Sequence, residues 1–147
     1  MVELAVALRA EVDRAAASLA TLGEADASRV RGERKWVPKE ILGHLIDSAS
    51  NNHQRFVRAQ LANPFSGPGY DQDVWVSLHR YRERPWAELL DLWVALNRHL
   101  ATVIEGVPAE KLQTMCRIGD AEAASLEWWM SDYLRHLRHH LGQIESR

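Results

Sequence analysis

The sequence predicts an all-α fold, a four-helix bundle with a long crossing loop between the second and third helices. Two observations support this prediction. Apolar residues recur at intervals of three and four along four segments of roughly 20 residues each, which is the spacing of one helical face. Glycines and prolines separate these segments, and no convincing alternation of apolar and polar residues indicates a strand.

The first helix is expected over residues 2–22 and the second over residues 38–61. In the first, apolar residues from Leu4 to Leu22 advance in steps of three or four. Pro38 begins the second helix, because the first helical position needs no backbone N–H donor. Four apolar side chains mark its buried stripe: Leu42, Leu45, Ala49 and Phe56.

The third helix is expected over residues 86–105 and the fourth over residues 125–145, with Ser125 as the N-cap of the fourth. The connection over residues 63–84 is too long for a tight turn, and long ordered loops are often functional. We expect this connection to cross the end of the bundle and to include a short helix over residues 71–79.

Composition limits the class of protein. A chain of 147 residues with 46% hydrophobic and 26% charged residues suits one globular domain over residues 1–147. The net charge of −2 and the lack of a basic tract give no argument for a nucleic-acid partner. No segment approaches the ~20 apolar residues that span a bilayer. The single cysteine and an N-terminus without an export signal predict a cytoplasmic protein.

Two histidines near the end of the chain have the spacing of neighbours on a helix. His136 and His140 are four residues apart, so their imidazoles lie on one face. On a helical wheel they border the apolar stripe beside Trp129 and Tyr133, whereas His139 points to solvent. Imidazole is the commonest ligand for borderline divalent metals, but such pairs also occur on plain surfaces. The pair alone leaves both interpretations open.

The second helix offers two candidates for a third ligand. His53 falls within the apolar stripe, whereas His44 lies roughly 140° from the centre of that stripe. The wheel therefore favours His53, although a histidine on an apolar face is more often a packed core residue. His44 shares its strip with Ser48, Asn51 and Arg55, a polar face that is either solvated or lines a groove. Spacing does not choose between the two.

Three motifs in order resemble the DinB/YfiT-like four-helix metalloprotein superfamily: WVPKEILGHLIDSASNNHQRF, GYDQDVW and DYLRHLRHHLGQI. The likeness covers residues 36–144. In that family the histidine of the HLxDS element and two histidines spaced i, i+4 near the C-terminus bind a divalent metal. The resemblance therefore implies a metal site at His44, His136 and His140. It also implies that His53 is a packing residue.

The resemblance extends to chemistry. Three neutral imidazoles suit Zn or Ni first, with Fe, Co or Mn as alternatives. A metal with open positions can lower the pKa of a bound water to ~7 or bind a thiolate. The superfamily includes transferases and isomerases that use bacillithiol, mycothiol or glutathione, and hydrolase-like members. The implied function is a metal-dependent enzyme on a small molecule, by thiol transfer first and hydrolysis second. The alternative is a non-catalytic metal- or ligand-binding stress-response protein.

Catalytic residues are not identified by any motif, but Asn51 and Arg55 are candidates for binding a substrate carboxylate, because arginine binds carboxylates through paired hydrogen bonds. A hydrogen bond between helices is the alternative role. Asp47 is either an acceptor behind a metal ligand or a solvated acid.

The adjacent Trp128 and Trp129 point about 100° apart and cannot share one core, which predicts a homodimer interface.

The remaining site expectations concern the crossing loop and two further histidines. Four loop residues are expected to cover the site, with Trp75 anchoring the loop: Tyr70, Asp71, Asp73 and Trp75. His79 and His99 are expected at the surface.

Overall fold

The computed structural model describes residues 1–146, and its four long helices confirm the predicted bundle. The first and second long helices each end three residues before the predicted position. Six α-helices occur in chain order: α1 (Val2–Leu19), α2 (Glu24–Ala27), α3 (Pro38–Arg58), α4 (Gln72–His79), α5 (Trp86–Glu105) and α6 (Leu126–Glu145).

The four long helices pack around one hydrophobic core. α5 contacts both α1 and α3, and α3 also contacts α6. The side chain of Trp93 on α5 is fully buried in the centre. Ser125 caps α6 as predicted, since its hydroxyl accepts a hydrogen bond from the Trp128 backbone N–H at 3.1 Å. α3 and α6 are therefore neighbours in the bundle. These two helices carry the candidate metal ligands.

The crossing connection between α3 and α5 contains the expected short helix. Asp71 caps α4, because its carboxylate accepts hydrogen bonds from the backbone N–H groups of Asp73 and Val74. α4 packs on α3, and a 3₁₀ turn at Tyr81–Glu83 also contacts α3. The connection therefore packs as a second layer on α3.

A small three-stranded sheet is the main feature that the sequence did not predict. Its order is β1 (Phe65–Gly67), β2 (Met115–Ile118) and β3 (Ala124–Ser125). β1 pairs in parallel with β2, and β2 pairs antiparallel with β3. Strands of two to four residues are too short to show a reliable alternation. The sheet joins the two long interhelical connections.

The two adjacent tryptophans on α6 face different surroundings. Trp128 is 51% exposed, whereas Trp129 is half-buried and donates its indole N–H to the carbonyl of Cys116 at 3.2 Å. They do not share one core, as expected; the homodimer itself stays a prediction that light scattering can test. Within residues 1–146 no helix has both the length and the apolar character needed to cross a bilayer.

Candidate metal site

Three histidines from two helices converge between α3 and α6. The Nε2 atom of His136 lies 3.2 Å from Nε2 of His44 and 3.1 Å from Nε2 of His140. One nitrogen from each of the three rings lies within 4.8 Å of the other two. The rings meet edge to face, with centroids 4.5–5.1 Å apart. These three residues, His44, His136 and His140, are called the triad below.

His44 is buried although it lies on the polar strip of its helix. Its exposed fraction is 1%, because Trp36 packs on its ring with centroids 5.0 Å apart and the rings of His136 and His140 lie against it from α6. The preceding residue, Gly43, permits the crossing connection to pack on α3, since a Cβ there would lie 2.1 Å from the Tyr81 ring. The sequence left open whether the polar strip that contains His44 is solvated or lines a groove. In the structure, His44 lies in a groove between helices. His53, which the wheel favoured, does not join the triad.

The triad imidazoles are neutral around pH 7. Burial, followed by the neighbouring histidines, lowers the pKa of His44 from 6.5 to about 3. Burial, followed mainly by His140, lowers the pKa of His136 to about 4, and burial also lowers the pKa of His140. Each ring therefore keeps one nitrogen lone pair free, which is the form that binds a metal.

Hydrogen bonding within the triad is incomplete, and a metal ion would resolve it. A neutral imidazole has one N–H, so Nε2 of His136 cannot form good hydrogen bonds with both neighbours. His140 is oriented by Gln143, whose side-chain oxygen lies 2.8 Å from Nδ1, leaving Nε2 of His140 towards the triad. An ion about 2.0–2.1 Å from each nitrogen, at angles of about 90–109°, would separate neighbouring nitrogens by about 2.8–3.4 Å. The two separations from Nε2 of His136 fall in this range, and a nitrogen of His44 lies within 4.8 Å of one of His140, so the three residues can hold a metal.

Asp47 does not support His44, contrary to the expectation from sequence. Nδ1 of His44 is buried and has no hydrogen-bond partner within residues 1–146. Oδ1 of Asp47 instead accepts a hydrogen bond from the Tyr81 hydroxyl at 2.6 Å and lies 2.9 Å from Nδ1 of His79. Burial raises the pKa of Asp47, while Tyr81 and His79 oppose that rise. Asp47 therefore fastens the crossing connection to α3, and His79, though exposed, is part of that attachment.

Two cavities border the triad on different sides. The larger is an open cleft of about 790 Å³ that reaches His140 and His139 on α6, and it is bordered on the opposite side by Arg34, Lys35 and Trp36. The smaller, of about 120 Å³, borders His136. A small molecule could therefore approach the triad along α6 from either side.

Arg55 lines the smaller cavity together with Tyr70. Its guanidinium lies 5.7 Å from the centre of the Tyr70 ring and donates a hydrogen bond to the carbonyl of Pro68 at 3.2 Å. Burial lowers the pKa of Arg55, and no carboxylate within residues 1–146 forms an ion pair with it. Asn51 lies outside both cavities, and its side chain donates to the backbone carbonyl of Asp47 at 2.9 Å.

The segment before α3 supplies site residues that the sequence did not nominate. Arg34, Lys35 and Trp36 line the cleft, and Arg31 donates to the backbone carbonyls of Gln143 and Ile144 at the end of α6. The available signal was the concentration of basic residues in RVRGERKW directly before the helix of His44. Of the loop residues expected to cover the site, Asp73 lines the cleft and Tyr70 the smaller cavity, whereas Trp75 borders neither.

The chain belongs to the DinB superfamily, whose family model matches residues 7–144. A protein of Halalkalibacterium halodurans named "Putative metal-dependent hydrolase BH0277" is 24% identical over 126 residues, which cover 86% of this chain and 73% of that protein. YfiT from Bacillus subtilis, described as a probable metal-dependent hydrolase with an unusual four-helix bundle topology, has a similar fold. Its TM-score is 0.80 at 18% identity, over 98% of this chain and 81% of YfiT. The family and the fold implied by the sequence motifs are thereby confirmed.

Proposed function

We propose that the chain is a metal-dependent enzyme acting on a small molecule, with His44, His136 and His140 as the metal ligands. The observation that carries the proposal is the convergence of three neutral imidazoles beside an open cleft. Zn²⁺ or Ni²⁺ is the first expectation, with Fe, Co or Mn as alternatives. When bound, such an ion supplies Lewis acidity and lowers the pKa of a coordinated water or thiol.

An open coordination position distinguishes this proposal from its rival, a non-catalytic metal-binding protein. Structural metal sites are usually closed by four protein ligands, whereas catalytic sites keep a position for water or substrate. Within residues 1–146 no fourth histidine, cysteine or carboxylate joins the triad. The cleft beside His140 gives a substrate access to the remaining positions. Both observations favour the enzyme.

The cleft favours a substrate with negative charge. Arg34 and Lys35 lie on its wall, and within residues 1–146 neither forms an ion pair. Cations on a concave surface raise the local concentration of an anionic ligand. Trp36 adds a flat apolar surface against which the rest of a small molecule can pack. These three residues would select and orient the substrate.

Arg55 is the candidate to hold a carboxylate or another oxyanion of the substrate. It lines the cavity that borders His136, it is half-buried, and no acidic side chain within the described chain neutralises it. Burial raises the pKa of the neighbouring Tyr70, so its hydroxyl keeps the proton and can donate a hydrogen bond. Asn51 is the weaker candidate, because its amide is already bonded to the backbone of α3.

Hydrolysis is the favoured reaction and thiol transfer the second candidate. The sequence motifs alone put thiol transfer first, but both relatives are named as metal-dependent hydrolases. Thiol transfer stays a candidate because glutathione and bacillithiol carry carboxylates, which suit the basic wall of the cleft. In either reaction the triad holds the ion. Arg34 and Lys35 in the cleft, and Arg55 in the smaller cavity, bind charged groups of the substrate on the two sides of the triad.

The test is turnover by protein purified without a metal-chelating tag and loaded with Zn²⁺ or Ni²⁺ after elemental analysis. The panel combines water, glutathione, bacillithiol and mycothiol as nucleophiles with small carboxylate-bearing esters, amides and electrophiles. Wild-type protein should turn over at least one combination, and His136→Ala should abolish both metal retention and turnover. His139→Ala is the matched control for metal retention and should keep the ion, because His139 is not one of the three proposed ligands.

Two results would contradict the proposal at different points. Metal-loaded protein that turns over nothing across the panel would favour the non-catalytic rival. Metal retention by His136→Ala would show that the triad is not the ligand set.

A further inference from the structure

A second pair of histidines faces each other across α3 and α5. Nε2 of His53 lies 3.3 Å from Nε2 of His99, and the ring centroids are 4.9 Å apart. His53 follows His44 by nine residues, which places it about 180° around α3. The pair therefore lies on the opposite side of α3 from the triad and shares no ligand with it.

We propose that His53 and His99 form a second metal-binding site, a two-imidazole clamp between α3 and α5 for a borderline divalent cation. Their nitrogen separation falls within the about 2.8–3.4 Å that two imidazoles on one ion require. It also lies within 0.2 Å of the separations in the triad. Imidazole ligands suit Cu²⁺, Ni²⁺ and Zn²⁺.

Both imidazoles are available to an ion. Burial, and then His99, lowers the pKa of His53, so that ring is neutral around pH 7. Apart from the contact between them, neither ring makes a side-chain hydrogen bond or an ion pair with any other residue in the described chain. A hydrogen bond between the two facing nitrogens requires a proton on one and a lone pair on the other. A metal ion would use both lone pairs together.

The environment of the pair predicts a different kind of site from the triad. His99 is exposed and His53 is half-buried, so water can reach the ion and complete its coordination. Two protein ligands bind more weakly than three, and this site should fill after the triad. Because α3 and α5 each supply one ligand, the ion would stabilise the folded chain in proportion to its binding, since the unfolded chain does not hold the two rings together.

The test is Ni²⁺ titration of the full chain, purified without a chelating tag, by isothermal calorimetry and thermal unfolding. Wild-type protein should bind two ions, one tightly and one more weakly. His53→Gln and His99→Gln should each lower the affinity for the second ion by about tenfold or more while keeping the first. With Cu²⁺, electron paramagnetic resonance should show nitrogen ligands on the ion at the second site. His53→Gln and His99→Gln should each reduce the number of those nitrogen ligands.

Three controls keep the result interpretable. His139→Gln removes an exposed imidazole that belongs to neither cluster and should bind like the wild type. His140→Ala should lose the first ion and keep the second, which separates this proposal from that of the triad. Circular dichroism checks that each variant folds. A second ion that both His53→Gln and His99→Gln retain would overturn the proposal, and so would wild-type protein that binds only one ion at millimolar Ni²⁺.

Discussion

The helices α6 and α3 both contribute to the triad, but they bring their histidines to it in different ways. On α6, His136 and His140 border the apolar stripe and remain partly exposed, His140 beside the cleft and His136 beside the smaller cavity. On α3, His44 projects away from the apolar stripe that faces α5 and is nevertheless buried to 1% exposure. The histidines of α6 reach the triad from the border of an apolar stripe, whereas the histidine of α3 is buried by Trp36 and by the two histidines of α6.

The difference between the two helices shows which side of a helix can be identified from the spacing of its apolar residues. Apolar periodicity identifies the side that faces the main core, and it does so correctly for both helices. It does not describe a second layer, such as the crossing connection and Tyr81 on α3. A polar strip beneath that layer is a candidate binding site, because its side chains are buried without being part of the apolar core.

The largest effect should come from removing a ligand on each helix. His44→Ala and His140→Ala should each weaken metal binding by more than about a hundredfold, because loss of even an indirect supporting partner weakens binding by about 10–100-fold. Only His44→Ala should also destabilise the metal-free chain, by about 0.5–3 kcal/mol, since only His44 is fully buried. Competitive chelator titration and urea unfolding measure the two effects. If both variants destabilised the metal-free chain equally, the difference in burial between His44 on α3 and His140 on α6 would have no effect on stability.

Arg55 provides the next effect, on substrate binding. Arg55→Met should raise KM for an anionic substrate by about 10–100-fold, the loss of one charge-assisted interaction of about 1.5–3 kcal/mol. The kcat value should change less, because Arg55 is proposed to bind the substrate and not the metal. Arg58→Met is the matched control one turn further along α3, outside the cavity that borders His136. An unchanged KM for Arg55→Met would exclude it from the site.

A pair of glycines tests the cover on α3 directly. Gly43→Ala should destabilise the chain by about 1–3 kcal/mol, because the new Cβ would lie 2.1 Å from the Tyr81 ring. Gly142→Ala on α6 meets nothing within 4 Å and should stabilise its helix by about 0.5–1 kcal/mol. Urea unfolding of the metal-free chain measures both. If both variants changed the free energy of unfolding in the same direction, the crossing connection would not pack on Gly43 in solution.

Acid should weaken the metal-free fold through the triad. The folded-state pKa values of about 3 for His44 and about 4 for His136 lie below the ordinary 6.5. Below pH 6.5 the unfolded chain therefore binds protons that the folded triad excludes. This contribution to stability is complete above pH 6.5 and decreases as pH falls towards 4 and then 3. The urea midpoint of the wild type should fall with pH over this range, and more steeply than that of His136→Ala.

Much of the fold and part of the candidate site follow from the sequence. The starts of the four long helices could be predicted because apolar spacing, prolines and the cap at Ser125 are local signals, whereas the ends of the first two lie three residues earlier than predicted. The His136–His140 pair could be predicted for the same reason, since four residues always bring two side chains to one helical face. The pairing of His53 with His99 could not, because those two residues are 46 positions apart.

The sequence by itself determined the bundle, the pair of histidines on α6 and, through its motifs, membership of the DinB superfamily. The motifs also implied His44 as the third histidine, a choice that helical spacing alone left open. Only the tertiary structure showed that His44 lies against that pair, that Asp47 binds Tyr81 and His79, and that a small sheet links the two long connections. The physical reason is the range of the interactions. Helical periodicity and capping act within a few residues, whereas burial of a polar strip depends on which distant segment packs over it.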